Sequence, residues 1–98
     1  MYADSKNSLK SIVGWLEGTD EAGWESQIKF GEECRSDMER MARPTYERGN
    51  RSFEGPGRDP NAPRLNRANP HLRAMLSAMR SRNRAAALEH GKAALAVM

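Results

Sequence analysis

Apolar residues recur at helical spacing near the start of the chain. The first stripe consists of Leu9, Ile12, Val13 and Leu16, which fall at i, i+3, i+4 and i+7. This stripe predicts a helix over residues 5–17. Gly18 is the expected end of that helix, because glycine adopts the left-handed C-terminal conformation without a Cβ clash.

A second stripe predicts the longest helix, over residues 20–43. It consists of Trp24, Ile28, Gly31, Cys34, Met38, Met41 and Ala42. Pro44 ends this helix, because a proline disfavours helical backbone at the residue before it. Only Gly18 and Thr19 would then separate the two helices, and so short a link favours an antiparallel hairpin. Gly31 lies within the stripe, which indicates that another helix approaches closely there.

The C-terminal helical pattern begins at Asn69–Pro70, where an N-cap residue precedes a proline in the first helical position. Its stripe consists of Leu72, Met75, Leu76 and Met79. Beyond Ser81 the apolar positions change sides. Either the helix breaks near Ser81–Asn83 and Asn83 caps a fourth helix, or one long helix is apolar on two sides. We favour the break, which lets the last helix fold back on the hairpin.

Residues 44–69, between these parts, are rich in Gly, Pro and Asn, which exclude long regular elements. Loops of this length are usually functional or disordered. We interpret this one as an extended arm over a surface, with a flexible linker as the alternative. The predicted fold is therefore all-α and forms a single small domain. It comprises a helical hairpin over 1–43, an irregular Arg-, Pro- and Gly-rich arm over 44–69, and one kinked or two C-terminal helices over 70–98.

The composition indicates a small core. Leu, Ile, Val and Phe together make up 13 of 98 residues, below the level of roughly 20% at which chains become candidates for disorder. Six Met, two Trp and an Ala-rich C terminus partly compensate. The net charge of +3 is too low to expand the chain. We therefore expect part of the stability to come from burial against a partner or a second copy.

Charge is divided unevenly along the chain. Residues 1–50 hold 7 basic and 10 acidic residues, whereas residues 51–98 hold 9 basic and 3 acidic residues. Such asymmetry is typical of a nucleic-acid-binding face, but it also fits contacts between acidic and basic halves of neighbouring copies, or two solvated faces.

Seven arginines and no lysine occur between residues 58 and 84. A guanidinium group binds carboxylate or phosphate in a planar, bidentate way and loses its hydration more readily than an ammonium group. In the helical segment, Arg73, Arg80 and Arg84 fall at i, i+7 and i+11, which predicts a row beside the apolar stripe. The predicted charged contact consists of Arg58, Arg64, Arg67, Arg73, Arg80 and Arg84. The predicted apolar contact consists of Leu88, Leu95 and Met98.

Two classes of partner fit these arginines. The small core, the interpretation of 44–69 as an arm over a surface and the apolar positions on two sides of the last helix favour a protein partner. We therefore expect a structural or regulatory subunit that docks on a larger assembly or on copies of itself. The alternative is a nucleic-acid-binding protein whose arginines contact phosphates. That alternative lacks the interleaved aromatic residues of single-strand binders.

The sequence offers little catalytic chemistry. No phosphate-binding glycine loop, C-x-x-C pair or nucleophile motif occurs. His71 and His90 are nineteen residues apart, have no ligand-spaced partner and are interpreted as surface or capping residues. Cys34 lies on an apolar stripe and is expected to be a buried, inert thiol. Glu33 and Asp37 form at most a weak site for a hard cation. We therefore predict no enzymatic activity, metal or cofactor.

The sequence also indicates a compartment. A single cysteine excludes an internal disulfide and fits a reducing environment. The N terminus lacks a basic region followed by an apolar run. The most apolar segment, residues 85–98, is shorter than the roughly 20 residues that span a bilayer, and it carries charges. We expect a cytoplasmic protein with no membrane contact.

Overall fold

The computed structural model describes residues 2–42, 46–47, 50–51 and 60–98. Four helices hold most of them: α1 (Tyr2–Leu16), α2 (Trp24–Ala42), α3 (Ala62–Arg80) and α4 (Arg84–Ala96). Two short strands, β1 (Tyr46–Glu47) and β2 (Asn50–Arg51), pair antiparallel between α2 and α3. The prediction of an all-α fold is confirmed.

The helices form an up-down-up-down bundle in which each helix packs against two others. α2 packs against α1 and α3, and α4 packs against the same two helices. α1 and α2 are antiparallel, because Trp15 near the end of α1 contacts Trp24 at the start of α2. The predicted hairpin is therefore present. Over the residues that the structure describes, no helix combines the length and the apolar character needed to cross a membrane.

The described helices enclose a core within one chain. Its buried members are Leu9, Ile12, Val13, Leu16, Trp24, Cys34, Met38, Ala42, Leu65, Ala68, Leu72, Met75, Leu76, Met79, Ala87 and Ala94. Methionine, alanine and cysteine fill space that branched residues would occupy in other cores, since an unbranched thioether adapts to irregular gaps. Counting only Leu, Ile, Val and Phe therefore underestimated what this chain buries.

Two glycines allow the helices to approach closely. A Cβ at Gly31 would lie 2.7 Å from Cδ2 of Leu76, which confirms the close approach expected there. A Cβ at Gly91 in α4 would lie 2.8 Å from Cγ2 of Val13 in α1. Contacts below 3.0 Å require a neighbour to move, so Gly31 lets α3 approach α2 closely and Gly91 lets α4 approach α1 closely.

The connection between α1 and α2 is longer than predicted. α2 begins at Trp24, so residues 17–23 form the turn and the prediction of a two-residue link is wrong. Oδ1 of Asp20 accepts a hydrogen bond from the backbone N–H of Ala22 at 2.8 Å. Asp20 therefore stabilises the turn instead of capping the helix, because an Asp side chain readily mimics a backbone turn.

α3 begins eight residues before the predicted start, so residues 62–69 of the predicted arm are helical. Pro63 occupies the first turn, where a missing N–H costs nothing, and Pro70 lies inside the helix. Leu65 and Ala68 are completely buried and extend the apolar stripe toward the N terminus. This burial outweighs the unfavourable interior proline. The remainder of the predicted arm lies largely outside the described residues.

The predicted break between the last two helices is confirmed. α3 ends at Arg80, Arg82 adopts a positive φ of 59°, and α4 starts at Arg84. Oδ1 of Asn83 accepts a hydrogen bond from the N–H of Ala86 at 3.2 Å, which is the predicted cap. α4 therefore folds back against α1 and α3.

Candidate anion-binding cleft between α2 and α3

The facing edges of α2 and α3 carry opposite charges. α3 holds four arginines and no acid, whereas α2 holds five acids and three basic residues. Arg73 and Arg80 are seven residues apart, so they lie within about 20° of each other around α3. Both point toward α2. The acidic first half and the basic second half of the sequence therefore partly neutralise each other within one chain.

Two ion pairs connect these helices. Nε and Nη2 of Arg73 both lie 2.8 Å from Oε2 of Glu39. Arg80 pairs with Glu32, which lies about two turns before Glu39 on α2. Nη1 of Arg35 donates to the same Glu39 oxygen at 3.1 Å, one turn away on α2. Glu39 therefore accepts hydrogen bonds from two guanidinium groups, that of Arg73 on α3 and that of Arg35 on α2.

The electrostatics of Glu39 follow from these contacts. The hydrogen bond from Arg73 lowers the pKa of the Glu39 carboxyl, partial burial opposes that change, and the hydrogen bond from Arg35 lowers it further. The Glu39 side chain is 20% exposed. It is thus a charged carboxylate held between cations, since hydrogen bonds to the ionised form favour that form.

A cleft of about 180 Å³ lies at this junction, and we call it the arginine cleft. It is lined by Arg35, Arg73, Leu76 and Arg80. Three guanidinium groups face only two carboxylates, Glu32 and Glu39, which leaves an excess of one positive charge. Each guanidinium carries five N–H donors, and these ion pairs use only some of them. The cleft can therefore bind a carboxylate or phosphate group through the remaining donors.

The arginine cleft brings together only part of the predicted charged contact. Arg73 and Arg80 are in it. Arg64 and Arg67 are exposed on α3, about 180° and 120° around the helix from Arg73. Nη1 of Arg64 lies 3.4 Å from Oδ1 of Asn61. Arg58 lies outside the described residues.

Arg84 makes its contacts within the bundle. The prediction that Arg73, Arg80 and Arg84 form one row on a single helix is wrong for Arg84, which begins α4. Its Nη1 donates to the carbonyls of Trp15 and Leu16 at 3.0 and 3.2 Å, and its Nη2 donates to the carbonyl of Asp20. Its guanidinium lies 4.6 Å and 4.9 Å from the ring centroids of Trp15 and Trp24. Because the helix ends before residues 81–83 and a new helix begins at Arg84, Arg84 points away from the face that carries Arg73 and Arg80.

The predicted apolar contact is half-buried in its own chain. Leu88, Leu95 and Met98 pack against the core, and the carbonyl of Met98 accepts a hydrogen bond from the Tyr2 hydroxyl at 2.7 Å. Of the described side chains, Phe30 is the large apolar one that is exposed, at 40%.

Arg35 was missed by reasoning from the sequence. Its i, i+4 spacing to Glu39 was the available signal, because such pairs meet on a helix surface. The contribution of Arg35 to the cleft requires α3 at the correct rotation, and no local pattern contains that information.

The other polar candidates have ordinary surroundings. The Cys34 thiol donates to the carbonyl of Ser5 at 3.5 Å, and burial raises its pKa to about 11. It is therefore the buried, unreactive thiol that was expected. Glu33 and Asp37 are exposed, and the described part of the chain holds no group of three or more His, Cys, Asp or Glu side chains placed to bind a metal.

Comparison of the chain with protein-family models, with curated proteins and with solved structures finds no match. The fold and the cleft define the protein only as an antiparallel four-helix bundle with an arginine-lined groove between two helices.

Proposed function

We propose that this protein is a non-catalytic interaction protein, a structural or regulatory subunit that docks on an acidic segment of a larger protein assembly through the arginine cleft. The observation that carries the proposal is the convergence of Arg35, Arg73 and Arg80 on one small cleft from two helices. Arginine pairs at such sites give bidentate, directional contacts to carboxylates. Three guanidinium groups in so small a cleft suit the end of one acidic side chain.

The proposal does not depend on an incomplete core. The expectation that the chain needs a neighbour came from its few branched residues, and the described helices enclose a core by themselves. The partner prediction therefore depends on charge alone. Arg64 and Arg67 lie on other faces of the same helix, about 20–24 Å along it from Arg80, and do not contribute to the cleft.

Charge also favours a protein partner over the nucleic-acid alternative. The cleft is bordered by Glu32 and Glu39, and the adjacent outer face of α2 exposes Glu33 and Asp37. These carboxylates repel the continuous phosphate backbone of a nucleic acid, whereas a short acidic segment can enter between them.

Fluorescence anisotropy tests the proposal with two labelled probes, a penta-glutamate peptide and a 15-base-pair DNA duplex. We expect saturable peptide binding that weakens about tenfold or more in each of the variants Arg73→Gln and Arg80→Gln, since a hydrogen bond to a charged group contributes about 1.5–3 kcal/mol. Arg64→Gln and Arg67→Gln are matched controls, because each removes the same charge from the same helix outside the cleft.

The outcomes separate the alternatives. Equal losses in all four variants would mean diffuse attraction and no specific cleft. Duplex binding tighter than peptide binding, with log K falling by about 0.9 per phosphate neutralised as log salt rises, would favour the nucleic-acid function. Sedimentation velocity at micromolar concentration shows separately whether the acidic partner is a second copy of the chain.

A further inference from the structure

The two histidines of the chain meet across the interface of α3 and α4. His71 and His90 are nineteen residues apart, but the antiparallel return at residues 81–83 places their ring centroids 6.2 Å apart with the planes inclined by 30°. Both side chains are half-buried. Each ring is fixed to a different helix, so their separation depends on the packing of the bundle.

This separation fits two imidazoles that share one metal ion. With metal–nitrogen distances of about 2.0–2.1 Å, two rings on a tetrahedral ion have centroids about 5 Å apart, and two rings on opposite sides of an ion have centroids about 6.5 Å apart. The observed distance lies between these limits.

Most residues one helical turn from the two histidines are small. On α4, the positions three and four residues from His90 are Ala86, Ala87, Ala93 and Ala94. On α3, the corresponding positions around His71 are Arg67, Ala68, Ala74 and the buried Met75. Arg67 is an exposed cation on a long side chain that can turn into solvent. Of the charged neighbours of His90, Glu89 is exposed and Lys92 lies 3.6 Å from Glu17.

We propose that His71 and His90 form a two-histidine site for a divalent transition metal of the Cu²⁺, Ni²⁺ and Zn²⁺ group. Neutral imidazole suits these ions, whereas Mg²⁺ and Ca²⁺ require oxygen ligands. Two protein ligands leave the other coordination positions to water, so binding is weaker than at a closed four-ligand site. The ion joins α3 to α4 on the face of α3 away from the arginine cleft, and the proposal is independent of the proposed function.

Isothermal titration of tag-free protein with NiCl₂ and ZnCl₂ at neutral pH tests the site. We expect one ion per chain, at least tenfold weaker binding in His71→Asn and in His90→Asn, and no response to MgCl₂. Saturating metal should raise the melting temperature of the wild-type chain and leave that of the double variant unchanged, because a ligand that binds only the folded state stabilises it. Binding should weaken as the pH falls, since a protonated imidazole cannot be a ligand.

Nuclear magnetic resonance of the wild-type chain provides a readout that does not depend on any variant folding. Substoichiometric Zn²⁺ should shift the ring proton signals of both histidines together. The proposal is overturned if the double variant binds as tightly as the wild type, if only one histidine signal responds, or if no titratable binding occurs up to millimolar metal.

Discussion

Removing the guanidinium of Arg84 should destabilise the bundle more than removing any exposed arginine. Arg84 stands at the first position of α4, where a positive charge opposes the helix dipole by a few tenths of a kcal/mol. Without specific contacts, its removal would therefore be neutral or slightly stabilising. The observed contacts reverse that sign.

The magnitude follows from what Arg84 contacts. It donates to three carbonyls at the C-terminal end of α1 and in the turn that follows. It also lies over the ring of Trp15, and over that of Trp24, which is 5% exposed. Hydrogen bonds from a charged donor contribute about 1.5–3 kcal/mol, and a partly desolvated cation–π contact about 0.5–2 kcal/mol. Water can replace part of the lost contacts, so we expect Arg84→Met to cost about 2–4 kcal/mol.

Urea unfolding followed by tryptophan fluorescence and by far-UV circular dichroism measures this loss. Arg84→Lys should give an intermediate value, because it keeps the charge but not the planar fork. Arg64→Met is the matched control and should change the free energy of unfolding by no more than about 0.5 kcal/mol. If Arg84→Met unfolds within 0.5 kcal/mol of the wild type, Arg84 does not join α4 to the end of α1 and the reasoning fails.

Four further predictions concern stability and reactivity. Gly14→Ala should stabilise the bundle by about 0.5–1 kcal/mol, because nothing lies within 4 Å of the new Cβ and alanine is the better helix former. Gly91→Ala should destabilise it by about 1–2 kcal/mol, because the new Cβ meets the rigid side chain of Val13, and thermal unfolding of both variants checks the opposite signs. The lowered pKa of Glu39 stabilises the folded state at neutral pH, and this contribution should be lost as the pH falls below the ordinary value of 4.5 through the lowered pKa. In Glu39→Gln, the free energy of unfolding measured in urea should therefore fall less steeply as the pH drops below 4.5. An unchanged pH dependence would show that Arg73 does not act on Glu39. Cys34 should react with a thiol reagent at pH 8 at least a hundredfold more slowly in the folded than in the urea-unfolded chain, and equal rates would contradict its burial.

The helix stripes could be predicted from the sequence because they are local. Burial on one side of a helix demands a 3.6-residue period, so the stripes of α1, α2 and the C-terminal part of α3 were identified before any packing was known. The break before α4 was predicted for the same reason. Its apolar positions changed sides, and Asn83 offered a cap.

Local signals failed where tertiary burial opposed them. Asn69–Pro70 has the residues of a helix start, but α3 continues through it because Leu65 and Ala68 on the N-terminal side are buried in the bundle. The cost of an interior proline is a few kcal/mol, about the contribution of burying one or two apolar side chains. A sequence pattern cannot show which of two similar energies is larger.

The amino-acid sequence by itself determined the apolar faces, the all-α class and the cations available on α3. Only the tertiary structure decided what each cation contacts. Arg84 meets carbonyls that lie 64 to 69 residues away, and Arg73 meets Glu39, which lies 34 residues away. The physical reason is that such contacts depend on the relative rotation and register of two helices, and the packing of the whole core sets both.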